Sequence, residues 1–82
     1  MNTTTTITGA WLHSSVETAG ECAIVCRPDS HGRPALVGVR DAAGKIQPSR
    51  LVTGRTGREP PYLSTPLGLF TPAAGELARA GL

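Results

Sequence analysis

Residues 21–53 read ECAIVCRPDSHGRPALVGVRDAAGKIQPSRLVT, and this stretch decides the fold class. Three apolar, β-branched-rich runs, Glu21–Arg27, Pro34–Arg40 and Lys45–Thr53, are separated by two polar segments dense in chain breakers. Such runs suit a pleated, half-buried surface, and the breakers mark where the chain reverses. In Asp41-Ala42-Ala43-Gly44 the Asp carboxylate can cap a turn and Gly supplies positive φ, so a short antiparallel hairpin loop is predicted. Pro28, Asp29, Ser30 and Gly32 make Arg27–Arg33 the longer connection. Within the middle run, period two puts Ala35, Val37 and Val39 on one face, predicted to face the core, and Leu36, Gly38 and Arg40 on the other. Pro48 has no N–H to donate, so the third run is predicted to be an edge strand or to carry a bulge.

Upstream, Ile7–Val16 reads as a first strand, with Trp11, the one tryptophan, as the largest block of the core. Gly9-Ala10-Trp11 is a Gly-x-Trp triplet, too short to identify a family. Glu17-Thr18-Ala19-Gly20 reads as a turn, and the Thr-rich lead 1–6 suits either a frayed end or the start of a strand. Downstream, 54–61 is a Gly/Pro-rich loop. Tyr62–Phe70 is extended, broken by Pro66 and Gly68, and its Leu63, Leu67, Leu69 and Phe70 are expected to fold back over the sheet. Thr71 as N-cap and Pro72 at the first helical position open a short helix of about nine residues that Gly81 ends. A helix this short needs a surface to pack on. The expected architecture is therefore mainly β: a small antiparallel meander or partly closed β-barrel of about four strands, with a short C-terminal helix. Residues 1–53 form the β domain, and 54–82 supply the loop, the extended apolar segment and the helix packed on it.

Composition bounds the functional classes. A chain of 82 residues buries roughly 60 to 65% of its unfolded surface, so its core is thin and either marginal stability or a partner subunit is expected, a homo-oligomer being one such partner. Ten Gly and seven Pro exclude a helical bundle. No run approaches the roughly 18 apolar residues that span a bilayer, and the N-terminus lacks the basic-then-apolar pattern of a signal peptide, so a cytoplasmic protein with no membrane partner is expected. The net charge of +2 is uneven: 27–58 holds seven basic residues against Asp29 and Asp41, while Arg79 faces four glutamates in the remainder.

Candidate chemistry is sparse. His13-Ser14-Ser15 and Asp29-Ser30-His31 contain the residue types of a hydrolytic triad, but a triad is a spatial arrangement, and no Gly-x-Ser-x-Gly elbow is present. Cys22 and Cys26, four residues apart on a strand, have Cα atoms about 13 Å apart, too far for a disulfide or for one metal ion. The expectation is two reduced core thiols, no metal and no cofactor. Gly54-Arg55-Thr56-Gly57-Arg58 can present backbone N–H groups and two guanidinium groups to an anion, without the Gly-Lys-Ser/Thr of a nucleotide loop.

These observations predict a small non-enzymatic protein-interaction module, of the kind used by phage- or plasmid-encoded inhibitors and regulators. It would bind another protein through an edge strand or through the C-terminal segment, with Tyr62, Leu63, Leu67, Leu69 and Phe70 as contacts. The alternative is a nucleic-acid-binding module contacting phosphates through Arg40, Lys45, Arg50, Arg55 and Arg58.

Overall fold

The computed structural model describes residues 2–54 and 60–82. Among them lie strands β1 (Thr3–His13), β2 (Val16–Pro28), β3 (Pro34–Arg40), β4 (Ile46–Pro48), β5 (Arg50–Val52), β6 (Tyr62–Thr65) and β7 (Gly68–Pro72), and one short helix, α1 (Glu76–Arg79). All pairings are antiparallel, in the order β4-β3-β2-β1-β7-β6-β5. β5 also lies against β3, so the sheet curls into a nearly closed barrel. Seven strands replace the expected four.

The first correction concerns the β1–β2 hairpin. Its turn is Ser14-Ser15, with Ser14 at φ 59°, and Glu17–Gly20 belong to β2. The ladder runs without interruption from His13↔Val16 to Thr3↔Cys26. That register puts Ile7 opposite Cys22 and Thr5 opposite Ile24, on the face that carries the core. A turn at 17–20 would instead set Ile7 opposite Ser30, in a loop. Burial along the whole hairpin outweighs the local turn preference of Ala19-Gly20.

The second correction is in β3. Val25 pairs Gly38 but Cys26 pairs Leu36, so Val37 is an extra, bulged residue. Strict alternation would put Val37 with Val39 on the core face. The bulge turns Leu36 inward instead, where it packs against the cluster that contains Val39.

Third, Lys45–Thr53 is not one strand. β4 leaves β3 at Pro48, the chain turns at Ser49, and β5 pairs with β6. The Ser49 hydroxyl donates to the Gln47 carbonyl oxygen at 3.0 Å across this corner. The missing N–H of Pro48 coincides with the point where the ladder ends, as expected for an edge. The turn before β4 follows its sequence closely. Asp41 Oδ1 accepts from the N–H groups of Ala43 and Lys45 at 3.0 and 2.9 Å, and Gly44 adopts φ 81°. Asp29 Oδ1 organises the β2–β3 loop in the same way, accepting from His31 and Arg33.

Tyr62–Phe70 does not cover the sheet; it forms two of its strands, joined at Pro66-Leu67. Thr71 and Pro72 continue β7, opposite Ala10 and Gly9, so they do not cap a helix. The helix is only Glu76–Arg79, preceded by Gly75 at φ 85°. The main core cluster consists of Ile7, Cys22, Ile24, Cys26, Val39, Leu63 and Phe70, with Trp11, Leu36, Leu51, Leu77, Ala80 and Leu82 packed partly buried against it, and Val25 is fully buried outside that cluster. Each fully buried aliphatic or Phe side chain contributes roughly 1.5 to 3 kcal/mol. Phe70, not Trp11, is the largest fully buried side chain.

Candidate functional site: the open edge of β2

β2 is longer than the strand that covers it. β3 pairs from Pro28 back to Ala23 and stops there, while β2 continues to Val16 with, among the described residues, only β1 paired to it. Which backbone groups this leaves uncovered follows from β1. The Thr8 carbonyl oxygen accepts from the Ala73 N–H at 2.9 Å, and the Thr6 carbonyl oxygen from the Arg79 guanidinium at 2.7 Å. Thr6 and Thr8 therefore point their peptide groups away from β2. In an antiparallel ladder their partners then point away from β1. These partners are Ala23 and Glu21, and Ala19 and Glu17 follow by the same alternation. Ala23 is met by β3. Glu17, Ala19 and Glu21 direct their N–H and C=O groups into the space beyond the sheet. Glu17, Thr18, Ala19 and Glu21 are exposed.

One contact reaches this edge among the described residues: the Trp11 Nε1–H donates to the Glu21 carbonyl oxygen at 3.2 Å. Two glycines place the indole there. Gly20 lies beneath it, where a Cβ would sit 2.9 Å from the indole Cδ1. Gly9, opposite Gly20, accepts the Phe70 ring, which packs on Trp11 with centroids 4.8 Å apart at 58°. The Gly-x-Trp triplet is thus a packing device, and Trp11 is half-buried, bridging the core and the open edge.

The residues singled out from sequence are dispersed. Leu63 and Phe70 have no exposed surface, so in the folded chain neither meets a partner. Tyr62 is half-buried, whereas Leu67 and Leu69 are 41% and 36% exposed. Leu69 is paired with Leu12, and a Cβ at Gly68 would sit 3.8 Å from His13 Cε1, so both leucines stand at the end of the barrel that carries the β1–β2 turn. Val16, 60% exposed, is at that end too. Arg40 is held within the fold, its Nε donating to the Thr4 hydroxyl and its Nη1 to the Gly44 carbonyl oxygen. Lys45 precedes β4 and Arg50 opens β5, on opposite sides of the corner at Ser49. Arg55 and Arg58 lie outside the described residues, as does most of the Gly54–Arg58 loop.

His13 stacks at 6.3 Å on Trp11, and His31 sits in the β2–β3 loop with its backbone N–H on Asp29. Among the described residues no three His, Cys, Asp or Glu side chains are grouped to hold a metal ion. Cys22 and Cys26 are free thiols; burial pushes Cys22 up to about 11 and Cys26 upward as well, so both stay protonated at neutral pH. An open hollow of about 480 Å³ lies between Pro48–Arg50 and Ser64–Pro66, and Arg50 lines it. Among the described residues no helix is long and apolar enough to cross a membrane.

The open edge was concealed in the sequence by the turn-like residues Glu17–Gly20. The signal that would reveal it is length: an 11-residue and a 13-residue strand paired against a third of seven residues must overhang it. Compared with known proteins, the chain matches no family model, no curated protein and no solved structure.

Proposed function

We propose that this chain is a small non-enzymatic interaction module that binds another protein by accepting one of its strands on the open edge of β2. The observation that supports it is the row of outward-facing peptide groups of Glu17, Ala19 and Glu21 on a strand already held in extended form by β1. Such an edge recruits a strand through main-chain hydrogen bonds, and its ordering cost has been met by the fold. The exposed Val16, beside the same edge, adds apolar area to the contact. An accessory inhibitor or regulator is the activity that fits this mode, since capturing a strand of the partner removes it from other use.

The test is Ala19→Pro. Its N–H has no acceptor among the described residues, so stability is expected to change by less than about 1 kcal/mol, while the ring blocks an incoming strand and removes a donor. Tagged wild type, after nuclease treatment of host lysate, is expected to retain one protein in stoichiometric amount, and Ala19→Pro to lose it. Retention of the same protein by the folded variant overturns the proposal. Wild type that retains nucleic acid, and nothing once nuclease is added, moves the function to the basic residues between Arg40 and Arg58.

A further inference from the structure

The open edge has two chemically distinct faces. Glu17, Ala19 and Glu21 alternate with the core residues Cys22 and Ile24, so their side chains stand on the outer face. Among the described residues neither carboxylate has an ion-pair or hydrogen-bond partner. On the inner face of the same edge, Thr18 is followed by Gly20, over which the Trp11 indole lies.

A strand laid on this edge places its own side chains directly beside these. Residues opposite Glu17 and Glu21 are four apart and share the outer face; residues opposite Thr18 and Gly20 lie on the inner face, against the indole. Opposite charges stabilise such cross-strand pairs and like charges destabilise them. A second copy of this chain is a poor occupant: antiparallel pairing centred on Ala19 sets Glu17 of each copy against Glu21 of the other.

Resting on the interaction reading above, we infer that the partner strand is a basic extended segment of another protein, with Lys or Arg at two positions four residues apart and apolar residues just inside them. The pattern basic–apolar–any–apolar–basic reads the same in both directions, so it serves a parallel or an antiparallel strand alike.

Two synthetic peptides test this. One is acetyl-Ser-Thr-Lys-Val-Thr-Val-Lys-Thr-Ser-amide, and the other has Glu in place of both Lys. The sole tryptophan, hydrogen-bonded to Glu21, reports binding by its fluorescence. The Lys peptide is expected to bind about ten-fold more tightly than the Glu peptide, as two opposite-charge pairs become like-charge pairs. The preference is expected to invert in the double variant Glu17→Lys/Glu21→Lys, and Ala19→Pro to bind neither peptide. Binding of both peptides alike, or of neither, by the wild type overturns the inference. So does a chain that sediments as a dimer which Ala19→Pro splits, because a second copy then holds the edge. If Ala19→Pro loses the protein captured from lysate while the peptides are not discriminated, the interaction module stands and the basic partner falls.

Discussion

β1 and β2 both outrun the strands that pair with their outer sides, yet their overhanging edges are finished differently. On β1, β7 covers Gly9–Leu12, and beyond it the chain from Ala73 to Arg79 takes up the carbonyl oxygens of Thr8 and Thr6. Glu76 locks this cover by accepting from the Thr8 hydroxyl at 3.1 Å and from Arg79 at 2.8 Å. On β2 the corresponding groups of Glu17, Ala19 and Glu21 meet, among the described residues, one indole N–H. A sheet edge needs a covering segment when its peptide groups would otherwise template aggregation. In this molecule the segment from Ala73 to Arg79 covers one edge, and the other carries the exposed Glu17 and Glu21.

The largest test of this contrast compares two glycines that face each other. A Cβ at Gly9 would run into the Thr71 carbonyl oxygen and come within 2.9 Å of the Pro72 Cα, so β7 must move off β1. Gly9→Ala is expected to cost about 3 kcal/mol in denaturant unfolding, the upper part of the range for overpacking, because the obstacle is backbone. Gly20→Ala meets the half-buried indole, which can shift, and is expected to cost clearly less. Equal losses would break the distinction between a closed and an open edge.

Next in size is the helix that holds the cover. Leu77 packs partly buried on the core, and Leu77→Ala is expected to cost about 2 kcal/mol, at the low end for core truncations. Its sharper readout is hydrogen exchange. The Ala73 N–H should lose protection, whereas the Ala19 N–H, which has no acceptor among the described residues, should exchange freely in both proteins.

The smallest effect is one of pH. The Arg79 guanidinium, and after it the Thr8 hydroxyl, holds the Glu76 carboxyl below its usual range. A carboxyl lowered in the folded state adds stability that is complete above its unfolded value and lost as pH falls through the folded one. Protection of the Ala73 N–H should therefore weaken below about pH 4, and Glu76→Gln should remove that dependence. An acid response of equal size at Ala19 would contradict the picture.

Much of the fold was legible in local chemistry. The Asp41 and Asp29 turns, the strand runs around Ile24 and Val39, the edge at Pro48 and the inward face of Cys22, Ile24 and Cys26 all follow from side chains acting within a few residues of themselves. The candidate site was not legible, because Ala19-Gly20 has turn chemistry and sits in a strand. Leu63 and Phe70 read as partner contacts only if Tyr62–Phe70 is a cover over the sheet; as β6 and β7 they line the core.

By itself the sequence determined the β class, the hairpin loops at Asp29 and Asp41 and the burial of two unbridged cysteines on one face of a strand, since dihedral preferences, turn hydrogen bonds and period-two burial are local. Only the tertiary structure decided the Ser14-Ser15 turn, the bulge at Val37, the break at Ser49 and which edge stays open. Those depend on pairings between distant residues, Ile7 with Cys22, Cys26 with Leu36 and Gly9 with Pro72, whose burial outweighs what each short stretch prefers alone.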